Sequence, residues 1–147
     1  MCSSDLAWMY DRLVHVPRLL AVFPDDGPGH PVLHLASQVL SARYGLALRH
    51  LAVAYYRDGN DSVAMHGDKV GTAVDDCVIA TLSMGEPRRF LLKPARGGPS
   101  LSYDLGWGDL LVMGGSCQRT WLHGIPKVAR AAPRMSVQLR PWLEPAG

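Results

Sequence analysis

The sequence predicts a mainly β domain of jelly-roll type, and three observations carry that prediction. Short apolar runs follow one another from residue 47 to residue 139, with turns recurring at roughly 8–12-residue spacing as in a sandwich or barrel. The breaks between them are rich in turn formers, as in Arg57-Asp58-Gly59-Asn60-Asp61, Gly85-Glu86-Pro87, Gly97-Gly98-Pro99, Gly106-Trp107-Gly108 and Gly114-Gly115-Ser116. With 147 residues, 48% apolar and 19% charged, the chain is long enough for one folded core and too apolar for disorder.

Taken in order, residues 9–23 are apolar at mixed spacing with Pro17 among them, which fits a short helix or two broken turns. Pro24-Asp25-Asp26-Gly27-Pro28-Gly29 reads as a loop. Val32, Leu33, Leu35, Ala36, Val39 and Leu40 recur at helical spacing, with Pro31 suited to a first turn and Gly45 to a stop, so residues 31–44 form a helix. The two helices are expected on one side of the jelly roll. Strands are expected over 47–56, 63–66, 77–84, 88–93, 100–105, 109–113, 120–123 and 134–139.

Charge and cysteine content exclude several classes. A net charge of +2 neither requires nor forbids a nucleic-acid partner. Cys2, Cys77 and Cys117 are odd in number and show no CxxC spacing, which argues against a disulfide framework or a zinc knuckle. No apolar run reaches the roughly 20 residues needed to span a membrane, and Met1 to Leu6 lack the pattern of a signal peptide. A cytoplasmic monomer without membrane contact is expected.

The chemistry gathers at two places. His66-Gly67-Asp68 sets two metal-ligating side chains at i and i+2, which point the same way on an extended backbone. A distant histidine, His123, can complete a triad that leaves open positions on a metal, as in non-haem iron(II) oxygenases. An HxD pair alone is more often a chance dipeptide than a site. The second place is Arg134-Met135-Ser136-Val137-Gln138-Leu139-Arg140, where Arg134, Ser136 and Arg140 share one strand face and Met135, Val137 and Leu139 take the opposite one, in the core. Guanidinium forks suit a dicarboxylate; a solvated edge strand explains the spacing equally well. Arg88, Arg89, Lys93 and Arg96 offer phosphate contacts or a merely soluble face.

Together these segments resemble the AlkB family of iron(II)- and 2-oxoglutarate-dependent nucleic-acid dealkylases, especially its short bacterial branch. The resemblance is carried by Tyr56-Arg57-Asp58-Gly59-Asn60 leading to His66-Gly67-Asp68, by Ile79-Ala80-Thr81-Leu82-Ser83-Met84-Gly85, and by Gly108-Asp109-Leu110-Leu111-Val112-Met113 with His123-Gly124-Ile125-Pro126-Lys127. It is completed by the segment from Arg134 to Arg140, and runs from about residue 8 to residue 142. It implies a double-stranded β-helix and iron(II) held by His66, Asp68 and His123. Tyr56 and Arg134 would bind the distal carboxylate of 2-oxoglutarate, with Ser136 and Arg140 lining the same pocket. It further implies that O2 and 2-oxoglutarate are consumed while an N-alkyl group is removed from DNA or RNA, single-stranded or with the base flipped out. Tyr10 matches a region lining the nucleotide pocket, and Arg88 and Arg89 are candidate substrate contacts.

The chain departs from the family in three ways. Ala54 stands where an Asn is usual, Val70 where the best-known members are acidic, and the front of the nucleotide-recognition lid is short, with residues 1–7 outside the core. Two rival readings follow: an oxygenase acting on a substrate other than nucleic acid, or a silent metal- or nucleic-acid-binding fragment.

Overall fold

The structure is a computed structural model that describes residues 6–9, 12–15, 17–23, 29–70 and 75–143. Two antiparallel sheets face one another. The larger is formed by β3 (Leu19–Phe23), β4 (His50–Tyr56), β11 (Arg134–Arg140), β6 (Ile79–Gly85) and β9 (Leu110–Met113), in that order across the sheet. The smaller runs β5 (Val63–His66), β10 (Trp121–Ile125), β7 (Arg88–Pro94), β8 (Leu101–Leu105). A two-stranded ribbon, β1 (Leu6–Met9) with β2 (Arg12–His15), precedes them. This is the jelly roll expected from the spacing of turns, and the strands from β4 onward begin and end within three residues of their expected positions.

The front of the chain differs from the helix or broken turns expected over residues 9–23. β2 and β3 occupy that stretch instead, on either side of Pro17. Leu19–Phe23 pairs with β4 from Leu19↔Tyr55 to Phe23↔Leu51, and in that pairing alternate side chains face the sheet interior. Mixed apolar spacing could not reveal this, because the partner strand lies some 30 residues away. Only one of the two expected N-terminal helices is present among the described residues.

That helix, α1 (Pro31–Tyr44), starts and stops where its sequence says it should. Pro31 sits in the first turn, His30 Nδ1 caps the Val32 N–H at 3.2 Å, and Gly45 takes the left-handed conformation (φ 65°) that ends the helix. Ser37 Oγ donates to the Leu48 carbonyl and Ser41 Oγ accepts from the Leu48 N–H, both at 3.0 Å, which ties the helix to the start of β4. Leu33, Ala36 and Leu40 pack on the outer face of the large sheet against Leu51, Ala80, Val137 and Leu139. Val32, Leu35 and Val39 point to solvent.

The large sheet is thus covered on both faces. Its inner face joins the smaller sheet through Ala54, Tyr56, Ile79, Phe90, Leu92, Leu105, Met113 and Ile125. Each fully buried aliphatic side chain such as Leu139 contributes about 1.5–3 kcal/mol. Strand alternation sends Val137 and Leu139 under α1, while Arg134, Ser136, Gln138 and Arg140 turn into the space between the sheets. Met135, expected in the core, is 40% exposed.

Candidate metal centre

The site is assembled across two neighbouring strands of the small sheet. β5 and β10 run antiparallel with His66 directly opposite His123, so their rings lie on one face with centroids 4.3 Å apart. Asp68 follows two residues beyond the end of β5. The ligand atoms of His66, Asp68 and His123 all lie within 4.8 Å of one another, and this is the only such group found among the described residues.

Each member is held by a named contact. His66 Nδ1 lies 2.8 Å from the Ala64 carbonyl, an acceptor only, so Nδ1 donates there and Nε2 is turned to the site. That Nε2 faces Asp68 Oδ1 at 3.3 Å. A hydrogen on that nitrogen would be donated to the carboxylate, and without one the two lone pairs converge as the ligands of a cation do. His123 is buried and stacked on Phe90, with centroids 5.6 Å apart and planes inclined by 12°. Burial first, then the neighbouring His66, pushes the His123 pKa down to about 4, so its imidazole is neutral and able to ligate near pH 7. Burial raises the Asp68 pKa, but hydrogen bonding to His66 and the Arg140 guanidinium outweigh it and hold the carboxyl well below the usual range. Two imidazole nitrogens and a carboxylate with open positions beside them are the donor set of a facial triad, and the residues present fit such a metal.

Three features of the ligand shell were not legible in the motif. Arg140 Nε donates to Asp68 Oδ2 at 2.9 Å, so this arginine is spent on orienting a ligand. Buried Gln118, on the four-residue helix α2 (Cys117–Thr120), accepts the Asp68 N–H through Oε1 at 2.8 Å. A Cβ added at Gly67 would sit 2.5 Å from the Gln118 carbonyl oxygen. Glycine is therefore required by close backbone approach, rather than by the space between the two ligands.

A cavity of about 230 Å³ runs from this triad between the sheets, below the size typical of drug-like ligands and suited to a small molecule. Its far end is cationic. Arg134 is 2% exposed, donates through Nη2 to Ser83 Oγ at 2.9 Å, and lies over the Tyr56 ring at 5.0 Å; its Nε and Nη1 have no partner. Burial pushes the Tyr56 phenol up, which keeps it protonated and a donor. Ser136 accepts from Gln138 Nε2 at 2.6 Å midway along the cavity. Gln138 was missed from the sequence although the even spacing Arg134, Ser136, Gln138 predicts its direction. The two arginines on this strand therefore serve opposite ends of one cavity.

The expected substrate contacts fare differently. Arg88 is 2% exposed, and its guanidinium donates to the carbonyls of Asp58 (3.1 Å), Asp61 (2.9 Å) and Pro126 (2.8 Å). It clamps two loops from inside, which corrects its expected role at a phosphate. Arg89 is exposed, 3.9 Å from Asp104, on the face of β7 opposite to Phe90 and hence away from the triad. Tyr10 lies outside the described residues.

Comparisons with known proteins agree with this geometry. The profile of the 2OG-Fe(II) oxygenase superfamily matches residues 25–141. The chain is 30% identical over 147 residues to Alpha-ketoglutarate-dependent dioxygenase alkB homolog 3 of Bos taurus, covering 93% of this chain and 49% of that protein. It is 29% identical over 130 residues to DNA oxidative demethylase ALKBH2 of Arabidopsis thaliana, covering 73% of this chain and 41% of that protein. The chain thus spans about half the length, or less, of these two relatives. The solved structure of OsALKBH1 superimposes with a TM-score of 0.56 at 17% identity, over 76% of this chain and 60% of that one, a likeness of fold. With its triad, its two-ended cavity and this match over most of its length, the chain belongs to the 2OG-Fe(II) oxygenase superfamily.

Proposed function

We propose that the chain catalyses Fe(II)- and 2-oxoglutarate-dependent oxidative dealkylation of N-alkylated bases in DNA or RNA. The observation that carries this reading is the pairing of a His66/Asp68/His123 cluster at one end of a small cavity with a buried Arg134 at the other, two of whose guanidinium nitrogens have no partner. That separation of charge matches a dicarboxylate bridging from a metal to a guanidinium. The relatives' names, a dioxygenase dependent on alpha-ketoglutarate and a DNA oxidative demethylase, support both the cosubstrate and the substrate class.

In this reading His66, Asp68 and His123 hold Fe(II), which when bound supplies the site for O2 activation coupled to decarboxylation of 2-oxoglutarate. Tyr56 and Arg134 bind the distal carboxylate, the phenol donating one hydrogen bond and the guanidinium two. Ser136 lines the middle of the cavity. Arg140 neutralises and aims Asp68 so that one carboxylate oxygen stays on the metal side. Phe90, Ile79, Ile125 and Met113 keep the cavity wall apolar and exclude water from the reacting end. The substrate would be a single-stranded or flipped-out base, met by a monomer in the cytoplasm; no helix among the described residues is long and apolar enough to cross a membrane.

The test is succinate formation by anaerobically purified protein given Fe(II), 2-oxoglutarate and O2, with and without a methylated single-stranded oligonucleotide. Turnover stimulated by the oligonucleotide and abolished in His66→Ala supports the proposal. Oligonucleotide-independent turnover favours a different substrate, a reading that Val70 supports: it packs on the inner core and offers no charge beside the triad.

A further inference from the structure

The cavity holds a third guanidinium that the metal and the Arg134 site leave unexplained. Arg18 lines it together with Tyr56, Arg134 and Ser136. Its Nη1 is buried and has no hydrogen-bond partner. The register of the large sheet fixes where along the cavity it stands. Leu19 pairs with Tyr55, which sets Arg18 beside Tyr56, and Tyr56 pairs with Arg134. Arg18, Tyr56 and Arg134 therefore occupy one row across three adjacent strands, spaced about 4.8 Å apart. The backbone at Arg18 is pinned there, since the Pro17 carbonyl accepts from the Ser62 N–H at 2.8 Å.

No acid among the described residues answers this charge. Asp68 is the one carboxylate among the described residues lining the cavity, and Arg140 is hydrogen-bonded to it at the opposite end. Leaving a buried guanidinium nitrogen without an acceptor costs free energy that an acceptor entering the cavity returns. A carboxylate has two oxygens and about four acceptor positions, so one such group between Arg18, Tyr56 and Arg134 satisfies donors on both sides of the ring.

We infer that Arg18 is a second guanidinium for the distal carboxylate of the cosubstrate and that it sets selectivity for 2-oxo dicarboxylates over 2-oxo monocarboxylates. This rests on the proposed function, since it presumes that 2-oxoglutarate enters the cavity with its distal end at Arg134.

The experiment is anaerobic calorimetry on the Fe(II)-loaded full chain, titrated with 2-oxoglutarate and, separately, with 2-oxopentanoate, which carries a methyl group in place of the distal carboxylate. Arg18→Gln is expected to weaken 2-oxoglutarate about tenfold or more, the loss of a charge-assisted hydrogen bond, and to leave 2-oxopentanoate unchanged. Arg18→Lys, which keeps the charge but loses the fork, should fall between. Equal weakening of both ligands would mean a general structural effect, and unaltered 2-oxoglutarate binding in Arg18→Gln would place the guanidinium elsewhere; either outcome overturns the assignment alone. A wild-type chain that binds no 2-oxoglutarate would overturn the proposed function as well.

Discussion

Asp68 depends on two residues that never touch the metal position. Arg140 holds one of its oxygens and Gln118 holds its backbone N–H. Partners that orient ligands are commonly worth about 10–100-fold in metal affinity, so Arg140→Leu should weaken Fe(II) binding by that factor, read by anaerobic metal titration. Gln118→Leu should do the same and also cost about 1–3 kcal/mol of stability in urea melts, because the Asp68 N–H loses its acceptor in a part-buried place. Gly67→Ala tests the close approach itself. A Cβ there meets a backbone carbonyl oxygen rather than a flexible side chain, so the turn must open, and loss of metal binding larger than in either side-chain variant is expected. Metal affinity equal to wild type would show that the turn has slack that the geometry does not suggest. The spacing of His66 and Asp68 was legible in the sequence, and the family resemblance joined the distant His123 to them. Gln118 was not, because nothing in Cys117-Gln118-Arg119-Thr120 marks a residue that touches position 68.

The loop joining β4 to β5 carries the chain from Tyr56 to His66 and thus sets the distance between the two ends of the cavity. Arg57 clasps Asp61 through Nε at 2.8 Å and Nη2 at 2.9 Å, its backbone N–H adds another 2.8 Å bond, and Arg88 grips the Asp61 carbonyl from inside. Hydrogen bonding to the Arg57 side chain, opposed by burial, holds the Asp61 carboxyl below its ordinary value. A depressed folded-state pKa stabilises above the unfolded value near 3.9 and loses that contribution as pH falls through the folded pKa. The wild type should therefore lose stability below about pH 4 more steeply than Asp61→Asn, measured as urea midpoints from pH 2 to 7; parallel curves would remove Asp61 from the acid response. Arg88→Leu leaves three carbonyls without their donor, and a loss of about 2–4 kcal/mol is expected, with metal affinity read separately.

Across the whole molecule the large sheet serves two cores. Leu139 is fully buried under α1, remote from the cavity face of the same strand. Leu139→Ala should cost about 2–5 kcal/mol while leaving Fe(II) affinity in the folded protein unchanged, a separation checked by denaturant melts beside metal titration. Val39, on the same helix but 57% exposed, should tolerate Gln within about 0.5 kcal/mol. A large effect at Val39 would mean that something covers that face of α1.

Local chemistry in the chain was enough for the jelly roll, for α1 with its Pro31 start and Gly45 stop, and for the His66–Asp68 pair, because turn formers, strand alternation and ligand spacing act over a few residues, whereas His123 and the role of Arg134 came from the family resemblance. Other features depended on which strand lies beside which. Residues 19–23 are a strand because β4 offers them an edge. Arg88 faces inward because two loops present carbonyls there, and Arg140 meets Asp68 across 72 positions of sequence. Arg18 acquires meaning only in its row with Tyr56 and Arg134. Burial and sheet register are properties of pairs distant in sequence, and a side chain's charge says nothing about the partner it will find until the chain has closed.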